Sequence, residues 1–384
     1  SILSPKKDYV ELTLIQKNSV FMNIVKQSVH FLWTAMLCIA CTQSSGSKQE
    51  PQSINDEQEL QRIYEEVKTP YKYGVVVRPD ENSEMVDSPT VFRQGNRWLM
   101  TYVQYDGRGY ETWLAESDDL LAWKTLGKVL SFAEEGWDKD QRGGYPALQD
   151  YDWDGSYALN PHEGQYWMSY LGSATPGYEG LPISIGLAST SKNPSVAHEW
   201  DTYDSPILAY DDAEAKAWES RSPYKSTIYQ ADFQGHPFVL FYNAAEQVGE
   251  KDVREKIGIA YSDDMRHWTR YVGNPVMAHD TKGTITGDAQ LTRMGDWWVM
   301  FFYSAFDPTY PYTTYDSFAI SHDLVNWKEW KGERLIYPSE SYDALYAHKP
   351  FVMKHDGIVY HYYCAVDKSG YRTIALATSK EIKH

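Results

Sequence analysis

One short phrase recurs along the chain and constrains its fold more than any other feature. It is A-E-S-D-D-L-L-A-W at Ala115–Trp123, A-Y-S-D-D-M-R-H-W at Ala260–Trp268 and A-I-S-H-D-L-V-N-W at Ala319–Trp327. A looser copy occupies Ala188–Trp200, and a truncated one, A-L-A-T-S-K, occupies Ala375–Lys380. Repetition of this kind indicates an array of similar supersecondary units.

Each copy has the same physical logic. A strand-forming segment precedes the phrase, as at Thr112–Ala115. The Ser and Asp side chains can then bond the backbone of a turn, and the Trp supplies a large apolar face for the next strand. Units rich in strands and aromatic residues are typical of propeller blades. Five copies therefore predict an all-β fold, a five-bladed β-propeller. A β-sandwich with coincidental Ser-x-Asp turns is the alternative.

The length and composition fit one large domain. The chain has 384 residues, of which 42% are hydrophobic, enough to bury a substantial core. The repeats place one propeller domain at residues 65–384. An acidic insertion, Ala245–Lys256, interrupts the third unit, and residues 125–144 are predicted to form a long loop at the mouth of the ring.

The N-terminal part has a different character. Residues 1–21 carry no fold signal and are interpreted as a possible non-native extension before Met22. Residues 22–41 combine a basic start with a short apolar run and resemble a lipoprotein signal, with Cys41 as the lipidated residue. Plain secretion is the alternative. Residues 42–64, rich in Ser, Gln and charge, are predicted to be a flexible tether. The expected location is the cell envelope, as a periplasmic or outer-membrane lipoprotein anchored only through Cys41.

Charge and cysteine content exclude several classes of function. The formal net charge of −17 is unsuited to nucleic acid, and no phosphate-binding glycine loop is present. Cys364 is the one cysteine beyond the signal segment, so neither a disulfide framework nor a cysteine zinc site is expected. The 31 Tyr and 14 Trp suit strands, and some of them suit sugar stacking.

Ionisable residues recur just before the apolar stretch that opens each repeat. Aligning the units on Pro89, Ala158, Pro223, Ala289 and Pro350 selects Asp87, Asp154, Glu219, Arg221, Asp288, His348 and Lys349. In a propeller these positions face one mouth of the ring. Each has a structural alternative. The aspartates can be turn or cap residues, and Asp150 or Asp152 can replace Asp154. Glu219 can be an exposed loop residue, His348 a core histidine, and Lys349 a partner of Asp343 or Asp288.

Carboxylates that converge on a wet pocket suit the cleavage of a glycosidic bond. One carboxylate must be ionised to activate water. Another must stay protonated to donate to the leaving oxygen, which requires burial or a like charge to raise its pKa.

At this point the residues resemble a known group. The repeated phrases, D-S-P at Asp87 and E-x-x-x-P at Glu219 resemble the five-bladed propeller glycosidases of glycoside hydrolase family 43 and its relatives, families 117 and 130. The resemblance covers roughly residues 70–380. It implies that Asp87 is the general base, that Asp154 orients the site and tunes pKa values, and that Glu219 is the general acid.

The resemblance implies an exo-acting, inverting glycoside hydrolase that acts on a plant or algal oligosaccharide. Asp288, His348, Lys349 and Arg221 would bind the terminal sugar. A family-130-like phosphorylase, with Lys225 joining the basic cluster, is one alternative. A non-catalytic glycan-binding surface lipoprotein is another. No cofactor is required, but a calcium ion on the propeller axis is possible.

Overall fold

The computed structural model describes residues 52–247, 253–279, 281 and 283–383. The predicted extension at 1–21, the signal segment at 22–41 with Cys41, and residues 42–51 of the tether lie outside these ranges. Within them, no helix has the length and apolar character needed to cross a membrane.

A helix replaces the second half of the predicted tether. Helix α1 spans Gln52–Val67. Its residues Leu60, Ile63 and Val67 are almost fully buried and belong to a core cluster that also contains Phe301. These positions repeat at the spacing of one helical face, so packing of that face outweighs the polar composition of the segment. The tether prediction is therefore wrong for residues 52–64.

The described residues confirm the mostly β prediction, and their strands pair antiparallel in sets of four. Set 1 comprises β2 (Met85–Gln94), β3 (Arg97–Tyr105), β4 (Tyr110–Ser117) and β5 (Lys124–Leu130). Set 2 comprises β6 (Gln141–Pro146), β7 (Tyr166–Ser173), β8 (Ser184–Thr190) and β9 (Asp201–Thr202). Set 3 comprises β10 (Ser222–Phe233), β11 (His236–Gln247), β12 (Val253–Ser262) and β13 (Thr269–Arg270).

The last two sets complete the sheets. Set 4 comprises β14 (Ile285–Met294), β15 (Trp297–Ala305), β16 (Thr314–Ser321) and β17 (Lys328–Glu329). Set 5 comprises β18 (Tyr346–His355), β19 (Ile358–Val366), β20 (Arg372–Thr378) and β1 (Tyr71–Val77). The first strand of the described chain thus completes the set that holds its last strands. Parallel bridges join set 5 to set 1 and set 3 to set 4.

The recurring phrase forms the turn that its residues predict. After β4, the Ser117 hydroxyl accepts the backbone N–H of Leu120 at 2.9 Å, and the Asp119 carboxylate accepts two further N–H groups. The copy after β12 repeats these bonds, and in the copy after β16 the Asp323 carboxylate again accepts two N–H groups. The residue after each Asp adopts a left-handed φ, between 65° and 69°. The side chain–backbone bonds stabilise a tight turn that each set needs.

The first strand of each set is here called the inner strand. The inner strand, or the segment directly after it, forms hydrogen bonds or an ion pair with its counterpart in the neighbouring set. The bonds join Gln149 to Val91, Leu148 to Ile228, Leu291 to Tyr229, Gln290 to Val352, and Lys349 to Asp87. The inner strands start at a common end, called the mouth below, and finish at the opposite end, called the far end.

The structure corrects the predicted inner strand of set 2. That strand is β6, which begins at Gln141 inside the predicted 125–144 loop. Residues 150–158 instead form a loop that covers the far end. Within it, Tyr157 accepts the backbone N–H of Arg93 with its carbonyl and that of Lys354 with its hydroxyl, each at 2.9 Å. Because β6 contains neither a carboxylate nor a lysine, the hairpin after it was the stronger sequence signal.

Candidate active site

Four inner strands share a bulge near the mouth. In β2, β10, β14 and β18, two residues lie opposite one residue of the partner strand, so the register shifts by one. The shifts lie between Asp87 and Thr90, Pro223 and Ser226, Gly287 and Gln290, and His348 and Phe351. Ser88, Asp288 and Lys349 adopt left-handed φ values of 51° to 63° inside these bulges. A bulge bends its strand and redirects the side chains beside it, so four strands turn polar side chains toward one point.

That point is a small, partly open cavity of about 30 Å³. Its polar lining comes from three groups of side chains. They are the carboxylates Asp87, Glu179, Glu255 and Asp288, the lysines Lys225 and Lys349, and the tyrosines Tyr110, Tyr145, Tyr224 and Tyr303. The structure thus brings together three of the seven residues selected from the sequence: Asp87, Asp288 and Lys349.

Asp87 is a fully buried and fully engaged carboxylate. Its Oδ2 accepts a bond from Lys349 Nζ at 2.9 Å and another from Arg372, and its Oδ1 accepts the Ser88 N–H at 2.7 Å. Burial by itself raises the pKa of Asp87, but the charges of Lys349 and Arg372 hold it well below its usual range. Asp87 is therefore an anion at all working pH values.

Asp288 forms the second buried ion pair of the cavity. Its carboxylate lies 3.4 Å from Lys225 Nζ, and both side chains are over nine-tenths buried. The Oδ2 atom has no hydrogen-bond partner, and neither has the hydroxyl oxygen of Tyr110 on the cavity wall. Buried polar atoms without partners are rare in folded proteins. Both atoms therefore have hydrogen-bonding capacity that the protein does not use.

Glu255 has the most unusual ionisation in the cavity. It lies near the start of β12 and accepts a bond from Asn243 Nδ2 at 3.0 Å. Burial first, and then the negative charge of Glu179, raise the pKa of Glu255 to about 8. The side chain is partly exposed to the cavity but otherwise enclosed by protein. Glu255 is thus a neutral acid at pH 7 that solvent in the cavity can reach.

Glu179 is presented by the loop between β7 and β8. It is half-buried and adopts a left-handed φ of 47°. Gln141 anchors the loop by donating to the Gly177 carbonyl at 2.6 Å, and Arg372 donates to the Tyr178 hydroxyl at 3.1 Å. The loop therefore holds an accessible carboxylate beside Glu255.

His348 and Arg221 flank the cavity without lining it. His348 is buried between the rings of Tyr303 and Tyr346. Burial and the nearby charge of Lys349 lower its pKa to about 3, so it is neutral. Arg221 is half-buried just before β10.

Glu219 lies away from the cavity, against the role that the resemblance implies. It is 1% exposed and accepts bonds from Arg270 Nε and the Tyr242 hydroxyl, each at 2.9 Å. Tyr242 and the cavity residue Asn243 are neighbours on β11, so their side chains point to opposite faces of the sheet. Glu219 is part of a buried ion pair between sets 2 and 3. The sequence alignment equated Pro223 with Pro89. The strand pairing shows that Lys225 occupies the position of Pro89 in the bulge.

Asp154 lies at the far end of the inner strands, at the opposite end from Asp87. It is exposed in the 150–158 loop, with a φ of 60° and its N–H bonded to the Tyr157 hydroxyl. Asp154 is therefore a turn residue, which is the structural alternative that the sequence offered for it. The error follows from the displaced inner strand of set 2.

Sequence analysis missed Glu179 and Glu255. A signal for Glu255 exists: the alternating segment V-R-E-K-I-G-I-A runs directly into the phrase at Ser262, so it continues a strand and is not an insertion. Glu179 stands in a Gly- and Pro-rich loop, where no local pattern distinguishes a functional carboxylate from a solvated one.

The cavity does not suit the calcium ion considered from the sequence. The described residues contain no cluster of three or more His, Cys, Asp or Glu side chains placed to hold a metal. Asp87 and Asp288 already face Lys349 and Lys225. Two buried ammonium groups repel a divalent cation, and both oxygens of Asp87 already accept hydrogen bonds.

We therefore expect that treatment with a chelator leaves the activity unchanged. Millimolar EDTA, followed by desalting, should alter neither kcat/KM nor the thermal midpoint. A loss of activity that added calcium restores would contradict this interpretation of the lysine pairs.

Comparison with known proteins agrees with this geometry. A solved structure described as "Glycoside hydrolase" is 52% identical, with a TM-score of 0.83 over 85% of this chain and 96% of that one. A second, of BT0996 and described as an RGII complex, is 53% identical with the same TM-score and coverage. No protein-family model and no curated protein matches the chain.

More distant solved structures share the fold alone. They are a thermostable family-43 glycoside hydrolase, a family-117 glycoside hydrolase from Zobellia galactanivorans, and a family-130 structure. Their identities are 12–15% and their TM-scores 0.55–0.56, over 80–83% of this chain and 91–97% of theirs. With two relatives above 50% identity over nearly their whole length, the chain belongs to the glycoside hydrolases.

Proposed function

We propose that the protein is an exo-acting glycoside hydrolase in which Glu255 is the general acid and Glu179 the ionised carboxylate that activates water. The observation that carries the proposal is the pKa of Glu255, raised to about 8 on the wall of a carboxylate-lined cavity. Glycosidic cleavage needs one protonated and one ionised carboxyl group, and opposite environments separate such a pair.

In the proposed step, Glu255 gives its proton to the glycosidic oxygen as the bond from that oxygen to the anomeric carbon breaks. A water oxygen bonds the anomeric carbon, and its proton passes to Glu179. Glu255 leaves the step ionised and Glu179 leaves it protonated, so proton exchange with solvent restores both groups.

Glu179 is favoured over Asp87 as the base because of their different partners. Asp87 is held by Lys349 and Arg372, and stabilising its charge makes it a weak base. Glu179 is half-exposed and exerts the largest charge effect on Glu255. Asp87 as the base is the alternative, and Glu179→Gln and Asp87→Asn, assayed side by side, separate the two.

Exo-action follows from the size of the cavity. A small cavity enclosed by side chains on several strand sets suits the end of a glycan chain better than an internal stretch of polysaccharide. We assign the two ion pairs, Asp87 with Lys349 and Asp288 with Lys225, to the binding of its hydroxyl groups. Charged side chains that are already held in ion pairs lose little conformational entropy when the sugar binds. They also favour one orientation of the sugar.

We also propose that the five strand sets are blades of one closed propeller. The contacts between successive inner strands, and the ion pair from Lys349 in set 5 to Asp87 in set 1, support this arrangement. The outer strand β1 would fasten the last blade, because it pairs with β20 from the other end of the chain.

The substrate class we propose is a plant or algal polysaccharide fragment. One solved relative is described as an RGII complex, so an RGII oligosaccharide is the first substrate to test. We propose inversion as the stereochemical outcome, since carboxylates on different strand sets can stand the roughly 6.5–9.5 Å apart that inversion needs. NMR of the first-formed product checks this.

Hydrolysis of RGII oligosaccharides and a panel of plant and algal oligosaccharides, with and without phosphate, tests the function. We expect release of one monosaccharide in phosphate-free buffer. Turnover that requires phosphate would replace the hydrolase by a phosphorylase. Binding without any turnover would contradict the catalytic proposal.

The pH dependence should carry the signature of Glu255. A general acid works only when protonated, and Glu255 is protonated below its raised pKa. We therefore expect kcat/KM to fall tenfold per pH unit above about pH 8, measured from pH 5 to 10. A basic limb near pH 5, the range of an ordinary carboxyl, would contradict the assignment.

We propose that residues 22–41 direct the protein to the cell envelope and that Cys41 carries a lipid. The short apolar run before Cys41 in the sequence supports this. Metabolic labelling with palmitate in the full chain tests it, with Cys41→Ser as the variant that should lose the label.

A further inference from the structure

An exposed aromatic side chain lies at the mouth, close to the cavity. Phe306 directly follows β15 and is 44% exposed. Its φ of 58° is a left-handed conformation that a bulky residue rarely adopts. Such strain persists only where the surroundings enforce it, and it is common at ligand sites.

A line of rings leads from the cavity to Phe306. Tyr303 lines the cavity, and its ring centroid lies 5.3 Å from that of His348. His348 lies 5.9 Å from Tyr346, which in turn lies 6.1 Å from Phe306. Exposure increases along this line, from the buried Tyr303 through the half-buried Tyr346 to Phe306. Phe306 is therefore connected to the cavity wall through the rings of His348 and Tyr346.

The loop that carries Phe306 is firmly held. The Phe306 N–H donates to the Thr313 carbonyl at 2.9 Å. The buried Asp307 accepts bonds from Thr309 and, at 3.1 Å, from the Tyr315 hydroxyl. A ring held in place loses little conformational entropy when a ligand covers it. The loop thus presents Phe306 as a fixed surface.

We propose that Phe306 is a specificity-determining residue that stacks on the sugar next to the one being released. This inference rests on the proposed function, because it places the terminal sugar in the cavity and its neighbour over Phe306. The apolar face of a sugar ring suits an aromatic surface that has no charge of its own. The neutral state of His348 keeps the line of rings beneath it free of charge.

Isothermal titration of the Glu255→Gln variant tests this without turnover. The probes are an RGII oligosaccharide and the monosaccharide that the wild type releases from it. We expect Phe306→Ala in this background to weaken oligosaccharide binding roughly three- to tenfold. Binding of the monosaccharide should not change. The matched control is Tyr71→Ala, which removes an aromatic side chain of similar exposure, 46%, at the far end.

The outcomes separate the two proposals. Equal oligosaccharide affinity with and without Phe306 overturns the inference, and so does an equal loss for both probes, which indicates damage to the cavity. No binding of the oligosaccharide to the Glu255→Gln variant also overturns it. If the wild type showed no turnover, weaker oligosaccharide binding with Phe306→Ala but not with Tyr71→Ala would uphold the subsite and contradict the proposed hydrolysis.

Discussion

Replacing Glu255 by glutamine is expected to lower kcat by about 10²–10⁴-fold, the range typical for loss of a general acid. Glutamine keeps the size of the side chain and can still bond Asn243, which now holds Glu255 at 3.0 Å. It has no proton to give to a leaving oxygen. Substrate affinity should be nearly unchanged, so the loss should lie in kcat and not in KM.

The matched control for this variant is Glu246→Gln. Glu246 belongs to the neighbouring strand β11 and pairs with Lys256 at 3.5 Å, but it does not line the cavity. It should keep wild-type kcat. Steady-state kinetics of both variants on the released-sugar assay provide the comparison, and a Glu255→Gln enzyme with wild-type kcat would remove Glu255 from the mechanism.

Replacing Glu219 by alanine should damage stability and spare the chemistry. The change removes the buried partner of Arg270 at 2.9 Å and leaves it only the more exposed Asp212 as an ion-pair partner. Breaking a buried ion pair costs about 3–5 kcal/mol of unfolding free energy. Urea denaturation measures that loss. Below the unfolding transition, kcat should stay within about twofold of wild type, since Glu219 faces away from the cavity.

Asp212→Ala is the control for the stability effect. Asp212 binds the same Arg270 at 2.7 Å, but its side chain is 40% exposed. Removing such an exposed partner costs about 0–1 kcal/mol. If Glu219→Ala folded stably and lost its activity, the acid would be Glu219 and the placement of the site in the cavity of Asp87 and Glu255 would be wrong.

The repeat predicted the architecture well because it has a local cause. Ser117 and Asp119 bond their own turn, so the phrase at each position is sufficient to indicate the turn and the strands beside it. The polar starts of β2, β14 and β18 were found for the same reason. In each of these strands, a polar residue at the mouth stands beside a small residue or a proline in the sequence, as Asp87 precedes Ser88 and Pro89.

The failures concern register and long-range packing. The bulge of β10 moves Lys225 into the position that Pro223 was assigned, and no local signal marks a bulge that depends on pairing with β11. The 150–158 loop resembled an inner hairpin because it carries turn residues before the strand β7. Contacts with Arg93 and Lys354, far away in sequence, hold this loop at the far end, away from the cavity.

The proposed catalytic pair depends on the same long-range assembly. The pKa of Glu255 is raised by burial and by Glu179, which lies on another strand set.

In helix α1, the local spacing of apolar residues was informative and the composition was misleading. Its polar composition predicts a tether, but Leu60, Ile63 and Val67 form an apolar stripe that the spacing alone reveals.

The leaving-group dependence of the Glu255→Gln variant tests the central claim most directly. Protonation by a general acid matters most for basic leaving groups and little for acidic ones. On glycosides of the sugar that the wild type releases, the variant should lose activity strongly with a sugar leaving group and nearly none with dinitrophenolate. An equal loss with both leaving groups would contradict the assignment of Glu255 as the general acid.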